Sequence, residues 1–159
     1  MPYDQPPTTA TAASREALTD KIVLTKLAKG LKWQDVAKEM GMSPVFATAA
    51  LMGQMTLLPE QAEVAARLFD LSPLEAKLLQ AVPSRGSLGM TVPTDPLIYR
   101  FYEITQVYGT TLKEVIQDEF GDGIMSAIDF SMDVERVPDP RGDRVKVTMS
   151  GKFLPYKRF

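Results

Sequence analysis

The 159-residue chain has no cysteine and no histidine, and asparagine is missing as well. These absences remove Cys/His zinc sites, disulfide frameworks, thiol nucleophiles and every Ser-His or Cys-His catalytic pair. Any chemistry must run on carboxylates, lysine, arginine, hydroxyls or groups that a substrate brings. No cofactor and no metal are expected. Without asparagine there is no N-glycosylation acceptor, and residues 1–13 are rich in Pro, Thr and Ala, without the basic start and apolar run of a secretory signal. A cytoplasmic setting is the expectation. The longest uncharged stretch, Met40 to Pro59, has the length of a membrane span, but Gly41, Ser43, Pro44, Gly53, Gln54 and Pro59 interrupt it. No membrane segment is expected.

A basic surplus is also lacking. Up to Val82 there are 8 basic and 9 acidic residues, and 10 and 11 after it. Nothing there neutralises a phosphate backbone, so no nucleic-acid partner is expected.

What is present is 45% apolar residues arranged in two different grammars. Residues 1–13 lack apolar periodicity and are expected to be a disordered extension. Residues 14–82 are expected to form a helical domain. Its first helix runs from about Ser14 to Lys29, with Leu18, Ile22 and the Leu24/Leu27 pair apolar and Gly30 as the stop. A second fits Trp33 to Met40, and a third is headed by Ser43 and Pro44 and ends near Gly53. Pro59 opens a fourth, to about Asp70. Ser72-Pro73-Leu74-Glu75 is a capping box for a fifth, to about Ala81.

Residues 83–94 read as a linker, and residues 95–159 as a second domain. There, Asp95-Pro96 starts a helix expected to end at Gly109, and Thr111-Leu112-Lys113-Glu114 is a capping box for another that stops at Gly121. From Ile124 the apolar residues Ile124, Ile128, Phe130, Met132 and Val134 alternate with Asp129, Ser131, Asp133 and Glu135, predicting a half-buried strand. Pro138 to Asp143, which contains Arg141-Gly142-Asp143, is a turn, and Val145, Val147 and Met149 lie on the returning strand. The fold class is therefore α+β: an all-α helical bundle, in which Trp33 to Ala37, Gly41 and Ser43-Pro44 resemble the helix-turn-helix core of phage-repressor-like domains, then a small α+β domain with a long β-hairpin. A lone hairpin is marginal in water, so this second domain is expected to dimerise and borrow part of its core.

Three segments are candidates for function. Trp33 to Ala37, Gly41 and Ser43-Pro44 resemble a helix-turn-helix, which raises the alternative of a DNA-binding transcriptional regulator with an oligomerisation domain. The third helix, however, reads Val-Phe-Ala-Thr-Ala-Ala-Leu-Met over residues 45–52, with no side chain suited to base edges. In Tyr99-Arg100-Phe101-Tyr102-Glu103, Arg100 and Glu103 share a helix face that the aromatics can bury, and a guanidinium so placed is an anion receptor. In Phe120 to Ile128, Gly121 and Gly123 bracket a sharp turn that lets Ser126 approach a ligand. The Ser126 hydroxyl sits between Ile124 and Ile128 and requires a polar partner.

Pro93 to Pro96, Tyr99 to Glu103, Gln106 to Lys113, Phe120 to Ile124, Ser126 to Ile128 and Gly151 to Pro155 together resemble the cyanase family, the cyanate hydratases or cyanate lyases. The resemblance extends more weakly through Ala47 to Gln54 and the helical half. It implies bicarbonate-dependent decomposition of cyanate to carbamate and carbon dioxide, the carbamate then breaking down to ammonia and carbon dioxide. It also implies intertwined dimers, five of which form a homodecamer. The family's catalytic Arg, Glu and Ser carry over onto Arg100, Glu103 and Ser126. Ile124 and Leu154 are candidates for the apolar lining. Bicarbonate enters as a co-substrate and nucleophile, Arg100 as an anion clamp, Ser126 as a positioning donor and Glu103 as a group that orients the guanidinium or handles a proton. In the linker, Ser87 stands where other members can carry Cys, which argues against an obligatory thiol.

Overall fold

Proline opens most of the helices. Pro44, Pro59, Pro73 and Pro96 each sit in the first turn, where a missing N–H leaves no helical bond unmade. A computed structural model describes residues 12–83, 85, 86 and 91–158. Residues 1–11 of the expected disordered start lie outside the described residues, as do Ser84 and residues 87–90, Ser87 among them, of the expected linker. The order is α1 (Ala12–Lys29), α2 (Trp33–Met40), α3 (Pro44–Leu51), α4 (Pro59–Phe69), α5 (Pro73–Gln80), α6 (Pro96–Phe120), β1 (Gly123–Val137) and β2 (Arg144–Pro155). The two strands form one antiparallel hairpin, so the class is α+β.

Side-chain caps fix the short helices. Ser43 Oγ accepts from the Phe46 amide at 3.3 Å, and Ser72 and Glu75 complete a reciprocal box, with Ser72 N to Glu75 Oε2 at 2.7 Å and Glu75 N to Ser72 Oγ at 3.2 Å. At α4 only half of such a box exists, because Leu58 has no acceptor; Gln61 Oε1 takes the Leu58 amide at 2.9 Å. Asp70 ends α4 in the left-handed region at φ 54°, a conformation that costs non-glycine residues energy. Its carboxylate pairs with Lys29 at 2.7 Å.

The chain divides into two compact units, Met1–Gly86 with Met132–Thr148 and Ser87–Ser131 with Met149–Phe159. In the first, α2 packs on α3 and α4, α4 on α5, and α1 on α4. Phe69, Ile22, Leu51, Leu79 and Val36 are fully enclosed, each worth roughly 1.5–3 kcal/mol relative to exposure. Among the described residues of α1, Leu18 and Ile22 join this core; Leu24 and Leu27, read as apolar alongside them, are exposed. Arg15 takes an inward position instead, only 5% exposed. It donates from Nη1 to Leu78 O at 3.0 Å and from Nη2 to Ala50 O at 3.1 Å and Met55 O at 3.2 Å. Its Nε has no partner among the described residues, and burial pushes the guanidinium below its ordinary basicity. The cation thus gathers carbonyls from the last turns of α3 and α5, where the negative helix ends favour it.

The hairpin tip, Met132–Thr148, belongs to this first unit. Gln34 Nε2 donates to Val134 O at 3.4 Å and Ser43 Oγ to Met132 O at 3.2 Å. The side chains heading α2 and α3 are therefore bonded to the chain's own strand.

The second unit corrects one expectation. Gly109 ends nothing: α6 runs unbroken for 25 residues, and Gly109 has no positive φ. Glycine inside a helix costs only about 1 kcal/mol relative to alanine, which the surrounding hydrogen bonds outweigh. The capping box expected at Thr111 to Glu114 is helix interior. No residue of α6 is buried among the described residues of a single chain.

Candidate active site

Asp95 positions the first candidate pair. Its Oδ1 accepts from the Leu97 and Ile98 amides at 2.9 Å each, starting α6 so that Arg100 and Glu103 follow on the first turns. Three residues along a helix return to one face, and Arg100 Nη1 meets Glu103 Oε2 at 2.6 Å. The Tyr99 ring lies 5.7 Å from the guanidinium carbon, and Tyr99 and Tyr102 rings are 6.1 Å apart. In a single chain these aromatics do not enclose the pair: the Arg100 side chain is largely exposed and that of Glu103 half-buried, and Tyr99 and Phe101 are themselves exposed. The burial expected from the flanking aromatics is thus not supplied among the described residues of one protomer, where no residue of α6 is buried.

The second candidate segment begins where α6 stops. Gly121 has φ 88° and ψ −168°, a combination essentially confined to glycine, and it turns the chain from helix into β1. Gly123 closes the expected helix-to-strand turn as the first residue of β1. A methyl built there would meet the Leu154 carbonyl oxygen and the Phe153 ring at 2.5 Å, so the glycine lets β2 pack directly against the start of β1. Phe120 and Phe153 rings pack at 5.3 Å, and the Tyr156 amide donates to Asp122 O at 3.0 Å, fastening this corner.

Ser126 is 5% exposed. Its Oγ accepts from the Ile128 amide at 3.0 Å and the Asp129 amide at 2.9 Å, which answers the need for a polar partner. Two amides turned toward one side chain cannot serve a regular ladder, and β1 holds 15 residues against 12 in β2. A second geometric fact locates the irregularity. A methyl built on Gly151 would meet Met125 Cγ at 2.6 Å and Phe130 Cδ2 at 3.3 Å. Residues five apart on a regular strand point to opposite faces, yet these two converge on one point, so β1 carries a bulge between them. The expected unbroken face from Ile124 through Phe130 is therefore interrupted. Ile128 is 98% exposed, not half-buried in line with Phe130.

With both lone pairs of Oγ occupied by amides, the Ser126 hydroxyl retains only its proton to offer. It is a single hydrogen-bond donor. Among the described residues of one chain, no hydrogen bond or ion pair joins Ser126 to Arg100 or Glu103, although all three lie in the same compact unit. Ile124 and Leu154, the expected lining, are both exposed in the single chain. Sequence reasoning did not single out Gly151 by itself, although a lone glycine inside a strand pattern is the signal for a bulge or a close backbone approach. Arg15 carried no such signal.

The two halves of the chain match two family descriptions, "Cyanate hydratase, N-terminal" over residues 15–83 and "Cyanate lyase C-terminal domain" over residues 90–158. The chain is similar to proteins named cyanate hydratase from Methylibium petroleiphilum, 63% identical, and from Albidiferax ferrireducens, 60% identical. Each match spans 146 residues, 92% of this chain and 99% of the relative. Its fold is similar to that in a crystal structure of cyanase from T. urticae, with a TM-score of 0.77 and 37% identity over 87% of this chain and 97% of that one. The chain belongs to the cyanate hydratase (cyanate lyase) family.

Proposed function

We propose that the chain is a lyase that decomposes cyanate with bicarbonate as co-substrate, and that Arg100, Glu103 and Ser126 form its catalytic centre. The observation that carries the reading is the match to relatives named cyanate hydratase over 99% of their length, together with the family match over residues 90–158, which contains these three residues. The physical argument starts from charge. Cyanate and bicarbonate are both anions, and two unit charges about 4 Å apart repel by roughly 4 kcal/mol at an effective dielectric near 20. Arg100 offsets this repulsion as a planar, permanently charged fork that two oxygens can share. Glu103 holds that fork in place and handles a proton.

A bicarbonate oxygen attacks the cyanate carbon, forming a C–O bond and a dianionic adduct in which the bicarbonate proton has moved to nitrogen. The bond between the bicarbonate carbon and the bridging oxygen then breaks, releasing carbon dioxide, and one further proton on nitrogen yields carbamate. Carbamate takes another proton and separates into ammonia and carbon dioxide. Every atom comes from the two substrates and protons, so the reaction as written uses no cofactor. Ser126, as a donor whose lone pairs are engaged, suits holding an adduct oxygen and is unsuited to attack. Holding two small reactants in register contributes up to about 7–11 kcal/mol of barrier reduction. Ile124 and Leu154 line the pocket in this reading.

The same reading requires more than one chain. An exposed α6, an exposed Arg100–Glu103 pair and a bare Ile128 together leave the second unit without a covering layer. We place a second copy over it, within a homodecamer of five dimers, in the cytoplasm. No helix among the described residues is long and apolar enough to cross a membrane. The alternative, a DNA-binding regulator, is disfavoured because Gln34 and Ser43 at the heads of α2 and α3 are bonded to β1, and α3 carries no charged side chain.

The deciding experiment follows ammonia release from cyanate in bicarbonate-free buffer and again with bicarbonate added. Release only with bicarbonate is expected, together with a light-scattering mass well above one chain. Turnover indifferent to bicarbonate sinks the mechanism, a monomeric mass sinks the shared site, and salt-sensitive binding of duplex DNA without turnover supports the regulator.

A further inference from the structure

Gly151 lies on β2 beneath the bulge that carries Ser126. Its φ is not in the left-handed region, so no backbone preference demands glycine there. Space does. A Cβ at this position would run into the Ser126 carbonyl oxygen, into Met125 Cγ at 2.6 Å and against Phe130 Cδ2 at 3.3 Å. A flexible methionine can swing away, but a carbonyl oxygen moves only with its peptide plane. The neighbouring bulge is held by the Ile128 and Asp129 amides on Ser126 Oγ, and displacing the Ser126 backbone breaks the geometry of both bonds.

From this we infer that Gly151 is a positioning residue: its missing side chain is the seat of the β1 bulge, and through that bulge it sets where the Ser126 hydroxyl points. Bulges re-aim side chains next to functional sites, and a misplacement of about 1 Å can cost on the order of 100-fold in rate. The inference rests on the role proposed above for Ser126. It assigns to β2 a part in the site that contact with substrate does not require.

The test compares Gly151→Ala, Ser126→Ala, the Gly151→Ala/Ser126→Ala double variant and Gly151→Ala/Met125→Ala, all in the full-length assembled protein. Turnover of cyanate with bicarbonate is measured alongside hydrogen exchange at the Ile128 and Asp129 amides. Gly151→Ala is expected to keep the parent mass and helix content, to lose on the order of 100-fold in kcat/KM, and to lose the slow exchange of those two amides. In the Ser126→Ala background the same change is expected to cost less than about 2-fold, since nothing remains to be aimed. Adding Met125→Ala should not restore activity, because the carbonyl contact stays.

Equal losses in both backgrounds overturn the inference, as does full rescue by Met125→Ala or unchanged exchange in Gly151→Ala. If Gly151→Ala does not fold, the double variant with Met125→Ala carries the comparison; if that also fails to fold, Gly151 serves the whole fold and the inference is wrong. Full activity in Ser126→Ala alone sinks the proposed role of Ser126, whereas the exchange data still decide whether Gly151 seats the bulge.

Discussion

Arg100 Nη1 lies 2.6 Å from Glu103 Oε2, one turn along α6, so the carboxylate holds one edge of the guanidinium and leaves the other free. A fork fixed on one side and open on the other suits binding a planar anion. Arg100→Lys keeps the charge and loses the fork. It is expected to lower kcat/KM for cyanate by about 10²–10³-fold, the range for removing an anion-stabilising donor, with an unchanged circular dichroism spectrum. Glu103→Gln keeps an oxygen that accepts from Arg100 but cannot carry a proton, so a much smaller loss than in Arg100→Lys is expected if Glu103 acts by holding the fork, and a comparable loss if it acts by handling a proton. Steady-state kinetics at saturating bicarbonate check both, and near-normal turnover in Arg100→Lys contradicts the clamp.

Arg15 offers a test of stability separate from activity. Its three carbonyl partners lie 35 to 63 residues from it along the chain, and two of them already accept a backbone amide, Gly53 N on Ala50 O and Ala81 N on Leu78 O. Arg15→Met therefore loses charged hydrogen bonds without leaving those two oxygens bare. A loss of roughly 1.5–3 kcal/mol is expected by urea unfolding, with KM for cyanate unchanged. A change in KM without a change in stability contradicts this placement.

The Lys21–Glu75 pair sets an acid dependence. Hydrogen bonding from Lys21, then from the Ser72 amide, pulls the Glu75 carboxyl from 4.5 to about 2 in the folded chain. A depressed carboxylate stabilises the fold above its unfolded value and loses that contribution as pH falls toward the folded one. The stability difference between the parent and Glu75→Gln should therefore be full above pH 4.5, shrink between pH 4.5 and about 2, and vanish below. Thermal melts across that range measure it; a constant difference contradicts the pairing.

The unbroken α6 makes a claim that hydrogen exchange can read. Amides of residues 110–113 should exchange slowly in the folded protein, since each belongs to the helical ladder. Fast exchange confined to those residues would restore the two-helix reading.

That segment also shows how far local signals reach. Gly109 followed by Thr-Thr-Leu-Lys-Glu carries every local mark of a stop and a restart, and the helix ignores them. A glycine costs a helix about 1 kcal/mol, whereas ending and restarting one leaves up to eight backbone groups to be satisfied elsewhere. By contrast, Ser43-Pro44 and Ser72-Pro73-Leu74-Glu75 were legible to the residue, because a cap bonds only to its own first turn.

The strand faces failed for a related reason. Alternation from Ile124 to Val134 describes a regular strand, and the bulge at Ser126 to Asp129 shifts the phase of everything on one side of it. A bulge depends on what lies across the ladder, here a glycine 25 residues further along the chain.

By itself the sequence determined the starts of α2 to α6, the hairpin and the residue types on which chemistry without His, Cys or Asn must run. These depend on bonds between near neighbours, or on simple inventory. Only the tertiary structure decided that Arg15 is buried, that α6 is one helix without a buried face, and that Ser126 accepts two amides over a glycine on the opposite strand. Each of those depends on atoms brought together from distant parts of the chain, where space and unpaired polar groups outweigh local preference.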